Sequence, residues 1–309
     1  SVKNGDTTEV PIAQRTYSDG SIGFIPAGGD APRPLYISSE FATYFGGSGD
    51  DWGGSLIVDG DGQISVSGTT ASFDFPVKNA FQASLKAEED IFVSRFDADG
   101  RTLLFSTYYG GSGGEWAEGC WWKGATWEHA NAMAANMALG KGKSLYINGI
   151  TTSHDLPLTA NALQKSCSTE RSGFLARFSS TGALLNGSSL SARKACIDRC
   201  LLGPITLAIG IDSALIVAGY TSLEIECMPA GGYQPALVVP SGPEHSTIFV
   251  LRLSPECDVA LSGTYFGGDA IEKTLNDWDE IAVAVDSHGS VIIASSTASA
   301  SIPMLAAVD

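Results

Sequence analysis

Thr43-Tyr44-Phe45-Gly46-Gly47-Ser48-Gly49 returns as Thr107-Tyr108-Tyr109-Gly110-Gly111-Ser112-Gly113, and again as Thr264-Tyr265-Phe266-Gly267-Gly268. A degenerate copy, Ser188-Ser189-Leu190-Ser191, fills the gap between the second and the third. Two more motifs follow in the same order. Thr69-Thr70-Ala71-Ser72-Phe73-Asp74-Phe75-Pro76 matches Thr151-Thr152-Ser153-His154-Asp155-Leu156-Pro157, and Asn79-Ala80-Phe81-Gln82 then matches Asn161-Ala162-Leu163-Gln164. Asp90-Ile91-Phe92-Val93-Ser94-Arg95-Phe96 is echoed by Gly173-Phe174-Leu175-Ala176-Arg177-Phe178 and by Ile248-Phe249-Val250-Leu251-Arg252-Leu253. Ordered recurrence of this kind marks a repeat architecture.

Within each unit the apolar runs are strand-sized and bounded by turn residues. The first unit places strands at 56–59, 63–68, 91–96 and 102–109, the second at 132–138, 145–150, 174–178 and 183–190. The third places them at 205–212, 215–220, 248–253 and 259–266, and the fourth, cut short, at 281–286 and 291–295. Asp59-Gly60-Asp61-Gly62 and Asp97-Ala98-Asp99-Gly100 read as hairpin turns in which Gly supplies a positive φ. A lone four-stranded sheet cannot bury both faces, so units of this kind pack as blades around an axis. The expectation is an all-β fold: a β-propeller of four-stranded antiparallel blades, about four of them. A lead-in with a hairpin occupies 1–35 and the propeller 36–309, with repeats near 41–104, 105–185, 186–261 and 262–309. The last repeat lacks its third and fourth strands, while 36–45 reads as a spare fourth strand behind a hairpin-like stretch at 15–24. N-terminal strands, from the same chain or from a neighbour, are expected to complete the last blade.

Tyr-[Phe/Tyr]-Gly-Gly-Ser-Gly, Ser-x-Asp-Phe-Pro and Phe-Val-x-Arg-Phe, with Arg33-Pro34-Leu35-Tyr36-Ile37 ahead of the first copy, resemble the bacterial seven-bladed β-propeller repeat family. The resemblance covers about 33–309, is strongest in the first unit and is poorest at the start of the third. It implies a secreted or surface module with no assigned catalysis; fold alone implies no function. The chain has too few repeats for seven blades by itself.

Eighteen Lys and Arg face 34 Asp and Glu, for a formal charge of −16. This balance argues against nucleic acid and anionic membrane surfaces as partners, since both need a cationic footprint. No apolar run reaches membrane-spanning length. The opening Ser1-Val2-Lys3 reads as a start produced by processing or trimming. Six cysteines, Cys120, Cys167, Cys196, Cys200, Cys227 and Cys257, suggest disulfides and an oxidising, extracellular compartment. Cys227 with Cys257 is the leading pair, since both flank the third strand of the third unit. Cys196 and Cys200 lack a second ligand pair for zinc. Asn186-Gly187-Ser188 is a glycosylation sequon.

Trp116, Trp121, Trp122 and Trp127 crowd into 115–131, an insertion relative to the first unit. Such a cluster suits a protein hot spot or a stacking platform for polysaccharide, and otherwise buries its own indoles. Glu115, Glu118, Glu128 and His129 lie close by in sequence, but a glycosidase needs two carboxylates at a set spacing across a cleft. No nucleophile or metalloprotease motif surrounds any histidine. Asp50-Asp51 and the two Asp-x-Asp-Gly turns could hold calcium loosely, although capping of their own turns explains them more simply. Arg95, Arg177 and Arg252 recur in phase, which fits contacts between blades better than a single ligand site. The reading is a non-enzymatic extracellular structural or adhesive subunit, contacting itself or other surface proteins. A carbohydrate-binding or glycoside-hydrolysing propeller built on the Trp-rich insertion is the alternative.

Overall fold

In the computed structural model the described residues are 12–16, 22–26, 43–116, 120–123, 126–129, 137–166, 172–193, 202–237, 247–268 and 281–295; at 12–16, 22–26, 115–116, 120–123, 126–129, 202 and 204–205 the description is of backbone alone. The chain divides after Thr43 into two units. In the first, β1 (Ile12–Thr16) and β2 (Ile22–Pro26) form an antiparallel hairpin.

The second unit, from Tyr44, is built of antiparallel sheets whose strands follow one another in chain order. β3 (Asp51–Val58), β4 (Ile64–Thr70), β5 (Asp90–Phe96) and β6 (Leu103–Tyr109) make the first sheet. β7 (Glu115–Trp116) precedes a separate hairpin of β8 (Cys120–Lys123) and β9 (Thr126–His129). β10 (Met137–Leu139), β11 (Leu145–Thr151), β12 (Ser172–Phe178) and β13 (Leu184–Leu190) make the second sheet, with β7 also on β11. β14 (Leu202–Ile209), β15 (Leu215–Thr221), β16 (Thr247–Leu253) and β17 (Ala260–Phe266) make the third. β18 (Ala282–Val285) and β19 (Val291–Ala294) form a terminal hairpin. The all-β, four-strand pattern read from the repeats is therefore present in three successive sheets. The exception lies at 43–45: expected as the end of a fourth strand, these residues are not in strand conformation.

Period-two alternation sends each strand's neighbouring side chains to opposite faces, and here both faces are covered. Ile91, Val93, Phe105 and Tyr109 of the first sheet pack against Met137, Leu145, Ile147, Phe174, Ala176 and Phe178 of the second. The opposite face of the second sheet gives Tyr146, Leu175 and Leu190 to a cluster with Leu215, Val217, Phe249, Leu251 and Leu253 of the third. The far face of the third packs Ile216, Ala218, Tyr220, Ile248 and Val250 on Ile281, Val283, Val285 and Ile293. Two-sided covering is why β11 and β15 are buried at every residue, whereas β18 alternates exposed and half-buried. Each fully buried Val, Leu, Ile or Phe contributes about 1.5–3 kcal/mol, so these three seams carry most of the apolar stabilisation.

The expected hairpin turns are present, with Gly62 at φ 79° and Gly100 at φ 68°. Asp59 accepts hydrogen bonds from the amides of Asp61 and Gln63, and Asp97 accepts from those of Arg101 and Thr102. The Thr102 contacts hold the Asp97 carboxyl down at about 2. Both carboxylates thus cap their own turns.

Candidate functional site

The recurring motifs meet in space. Ser48 donates from its amide and its hydroxyl to Asp74 Oδ1 at 2.7 and 2.9 Å, while Gly49 N donates to Ser72 Oγ at 2.9 Å. In the next repeat Ser112 donates twice to Asp155 Oδ1 at 2.7 and 2.9 Å, and Gly113 N donates to Ser153 Oγ at 2.8 Å. The Gly-Gly-Ser-Gly turn leaving β6 is therefore clamped to the loop leaving β11 of the following sheet. Glycine is required by close approach: a Cβ on Gly47 or Gly111 would lie 2.5 Å from the clamp carboxylate. The aromatic pattern repeats as well. Phe45 stands 6.2 and 4.9 Å from the rings of Phe92 and Phe96, as Tyr109 stands 5.5 and 5.8 Å from Phe174 and Phe178.

The Ser48 and Ser112 amides and hydroxyls hold both clamp carboxyls below the ordinary value of 3.8. A depressed folded-state pKa contributes stability that is complete above the unfolded value and is lost as pH falls through the folded one. Thermal melts from pH 6 down to pH 2 should therefore show a smaller acid-induced drop in Tm for Asp155→Asn than for the parent chain. Parallel curves would show that the clamp adds nothing.

A third device escaped sequence reading in one of its copies. Gln82, Gln164 and Gln234 each accept, through the side-chain carbonyl, the amide that follows the fourth strand of their sheet: Gly110 at 3.1 Å, Ser191 at 2.7 Å and Gly267 at 3.3 Å. Gln234 lies in Gly231-Gly232-Tyr233-Gln234, where only the Gln survives from the Asn-Ala-[Phe/Leu]-Gln pattern. The junction between the second and third sheets is joined differently among the described residues. There Arg193 N donates to Glu224 O at 2.8 Å, and the two side chains form an exposed ion pair at 3.9 Å.

The phased arginines share a register and differ in partners. Arg95, wholly buried, donates Nε to Ser65 Oγ at 2.9 Å and Nη1 to Lys143 O of the second sheet at 3.0 Å. Burial pushes its guanidinium pKa down. Lys143 also crosses the seam, with Nζ 3.1 Å from Asp59 Oδ2 and paired to Asp61. Burial opposes ionisation of Asp59, but Lys143 and the turn amides outweigh it and leave the carboxyl below its usual range. Arg177 instead lies 5.5 Å from the Tyr146 ring centroid, and Arg252 pairs with Asp212 of its own sheet. Among the described residues Arg95 donates a hydrogen bond across a seam, Arg177 acts electrostatically on Cys257 of the third sheet, and Arg252 pairs within its own sheet.

The tryptophans separate into two groups. β7 pairs with one end of β11 through Trp116↔Ile150, and β10 pairs with the other end through Met137↔Ile147. Trp52↔Thr69 holds the same place in the first sheet. The first strand of the second sheet, expected at 132–138 behind an insertion at 115–131, instead runs through Glu115–Trp116, is interrupted at 117–136 and resumes at Met137–Leu139, so Trp116 is a repeat position. Trp121, Trp122 and Trp127 fall on the β8–β9 hairpin, with Trp122 directly opposite Trp127 and Cys120 opposite His129. Of the nearby acids, Glu115 lies in β7 and Glu128 opposite Trp121, while Glu118 is outside the described residues.

Cys227 and Cys257 are free thiols, which corrects the pairing expected between them. The loops that carry them leave opposite ends of β16: Cys227 acts on Tyr265 and Cys257 on Tyr146. Burial pushes both thiols up to about 12. A thiol reagent at pH 8 should leave both unmodified in the native protein and label both in denaturant; rapid native labelling would contradict their burial. Cys120 lies in β8, and Cys167, Cys196 and Cys200 lie outside the described residues. Asn186 is fully buried in β13, donating to Asn161 O at 3.1 Å, so the folded sequon offers no acceptor.

Among the described residues no group of three or more His, Cys, Asp and Glu side chains is placed to hold a metal ion. The open feature is the terminal hairpin. β4, β11 and β15 each pair with a third strand, whereas among the described residues β19 pairs with β18 alone. Ile292, 55% exposed, lies on the face turned away from the third sheet. No family model matches the chain, and no curated protein matches it.

Proposed function

We propose that this chain is a β-propeller-type array of blades, related to the bacterial seven-bladed propeller repeats, that serves outside the cytoplasm as a non-catalytic structural and adhesive subunit. The observation that carries this reading is that, beside three four-stranded sheets, β18 and β19 pair only with each other among the described residues. An edge strand with unpaired backbone groups is a template for association, and heterologous contact through such an edge builds chains of subunits. The formal charge of −16 keeps the remaining surface self-repelling, which confines contact to specific faces. The test is light scattering and negative-stain microscopy of the full chain across a concentration series. Association that grows with concentration into extended particles is expected; a monodisperse monomer throughout would overturn the reading.

The β8–β9 hairpin favours a second role, adhesion to polysaccharide. It forms a sheet of its own, outside the four-stranded pattern, and brings Trp122 and Trp127 into direct register. Indole faces suit stacking on sugar rings. Trp121→Ala with Trp122→Ala should leave the circular dichroism spectrum and Tm unchanged and weaken retention on polysaccharide resins. Unfolding of this variant would place the indoles in the core instead.

A further inference from the structure

We propose that the segment 228–237, a strap along the outer edge of β17, is a conformational device of the third sheet: it lifts off β17 and closes again while the rest of that sheet stays folded. The fourth strand of every complete sheet carries such a strap, so the three copies form an internal comparison. In the first sheet the strap is tied at two places. Lys78 and Ser106 exchange backbone hydrogen bonds at 3.0 and 2.8 Å and Asn79 Nδ2 donates to Leu104 O at 3.1 Å; farther along, Tyr108 N donates to Gln82 O at 3.1 Å. The second sheet repeats both. Thr159 N donates to Gly187 O at 3.0 Å and Asn186 Nδ2 to Asn161 O at 3.1 Å, and Ser189 N then donates to Gln164 O at 3.1 Å. In the third sheet, among the described residues, every hydrogen bond from the strap to β17 and the residue after it runs through Gln234. Tyr265 N donates to Gln234 O at 3.0 Å, Gln234 N to Thr264 Oγ1 at 2.9 Å, and Gly267 N to Gln234 Oε1 at 3.3 Å. Gly231 stands where the other straps have Asn79 and Asn161, and Gly232 only abuts β17, where a Cβ would lie 2.1 Å from Gly263 O.

Gln234 is itself held less firmly than its counterparts. Gln82 Nε2 donates to Asp90 Oδ2 at 2.7 Å, and Gln164 Nε2 donates to Glu226 Oε2 at 2.9 Å. Among the described residues Gln234 Nε2 is buried without an acceptor. Thr247, which opens β16 as Asp90 opens β5, has a buried hydroxyl that is likewise without a partner. Buried polar groups left unsatisfied raise the energy of the closed state, and lifting the strap returns them to water. The strand beneath is less covered as well: Ser106 and Thr107 of β6 are fully buried, whereas Gly263 and Thr264 of β17 are half-buried. Local opening is drawn from segments with few buried contacts and bonds, and its product here is a β17 with a free backbone edge.

The test is hydrogen exchange of the full chain, followed amide by amide at urea concentrations below global unfolding. The expected result is that the Tyr265 and Gly267 amides exchange about tenfold or more faster than the most protected amides of β16, at rates that barely change with urea. Tyr108 and Ser189, tied by two-point straps, keep pace with the most protected amides of β5 and β12. Gln234→Ala raises the Tyr265 rate further and leaves β16 unchanged. Exchange of Tyr265 together with β16, along one urea dependence, would overturn the proposal. Fast exchange at Tyr108 and Ser189 as well would overturn it too, since fraying of every outer strand would then suffice. So would a Gln234→Ala variant that leaves Tyr265 unchanged or accelerates Tyr265 and β16 alike. If that variant does not fold, the parent chain decides the question by itself.

Discussion

Gly111→Ala lowers stability by about 1–3 kcal/mol, the usual cost of forcing an extra methyl into a packed site, whereas Gly53→Ala leaves it within about 0.5 kcal/mol. The new Cβ on Gly111 would lie 2.5 Å from Asp155 Oδ1 and 2.7 Å from Ser153 Cβ, so the clamp must open to admit it. Opening it lengthens the two bonds from Ser112 to Asp155, which are charge-assisted and correspondingly strong. Around Gly53 nothing lies within 4 Å of the added atom, which makes it a control of identical chemistry. Urea titration checks both: a lower midpoint at constant slope for Gly111→Ala, and no shift for Gly53→Ala. Equal effects would show that the clamp is incidental to the seam between the first and second sheets.

At Arg95 the size of the effect depends on what replaces the guanidinium. Arg95→Ala costs about 3–5 kcal/mol, because it leaves a cavity and strands the Ser65 hydroxyl and the Lys143 carbonyl without their donor. Arg95→Met keeps most of the volume and avoids the cavity but strands the same two groups, so it costs less than Ala, about 1–3 kcal/mol. Asp59 stays paired with Lys143 in both variants. Thermal and urea denaturation of the two variants decide the matter. If Met is as damaging as Ala, the lost hydrogen bonds outweigh the cavity.

Strand positions were legible because the repeats supply several readings of each element. The expected strand at 91–96 is Asp90–Phe96, and 215–220 is Leu215–Thr221. The first strand of the third sheet is displaced, from 205–212 to Leu202–Ile209, because Gly210–Ala214 forms the turn. Local pattern could not reveal that Trp116 closes a strand which resumes at Met137, since that strand is defined by its pairing to β11 and not by continuity of sequence. The clamp was half legible. Both motifs were visible as repeats, but their union depends on a contact between residues far apart in sequence. The Cys227–Cys257 pairing failed for a related reason: proximity to the same strand in sequence says nothing about which end of it each loop leaves.

Among the described residues each sheet shares its clusters only with the sheets next to it in sequence. Its cooperativity is therefore that of a row and not of a single globule, with stability approximated by a sum over adjacent pairs. Amide protons report this directly. Those in β11 and β15 exchange with solvent only when seams on both sides give way, whereas those in β18 and β19 need one seam to open. Protection against exchange should descend in steps toward the terminal hairpin, and the fold then unzips from that hairpin inward, sheet after sheet.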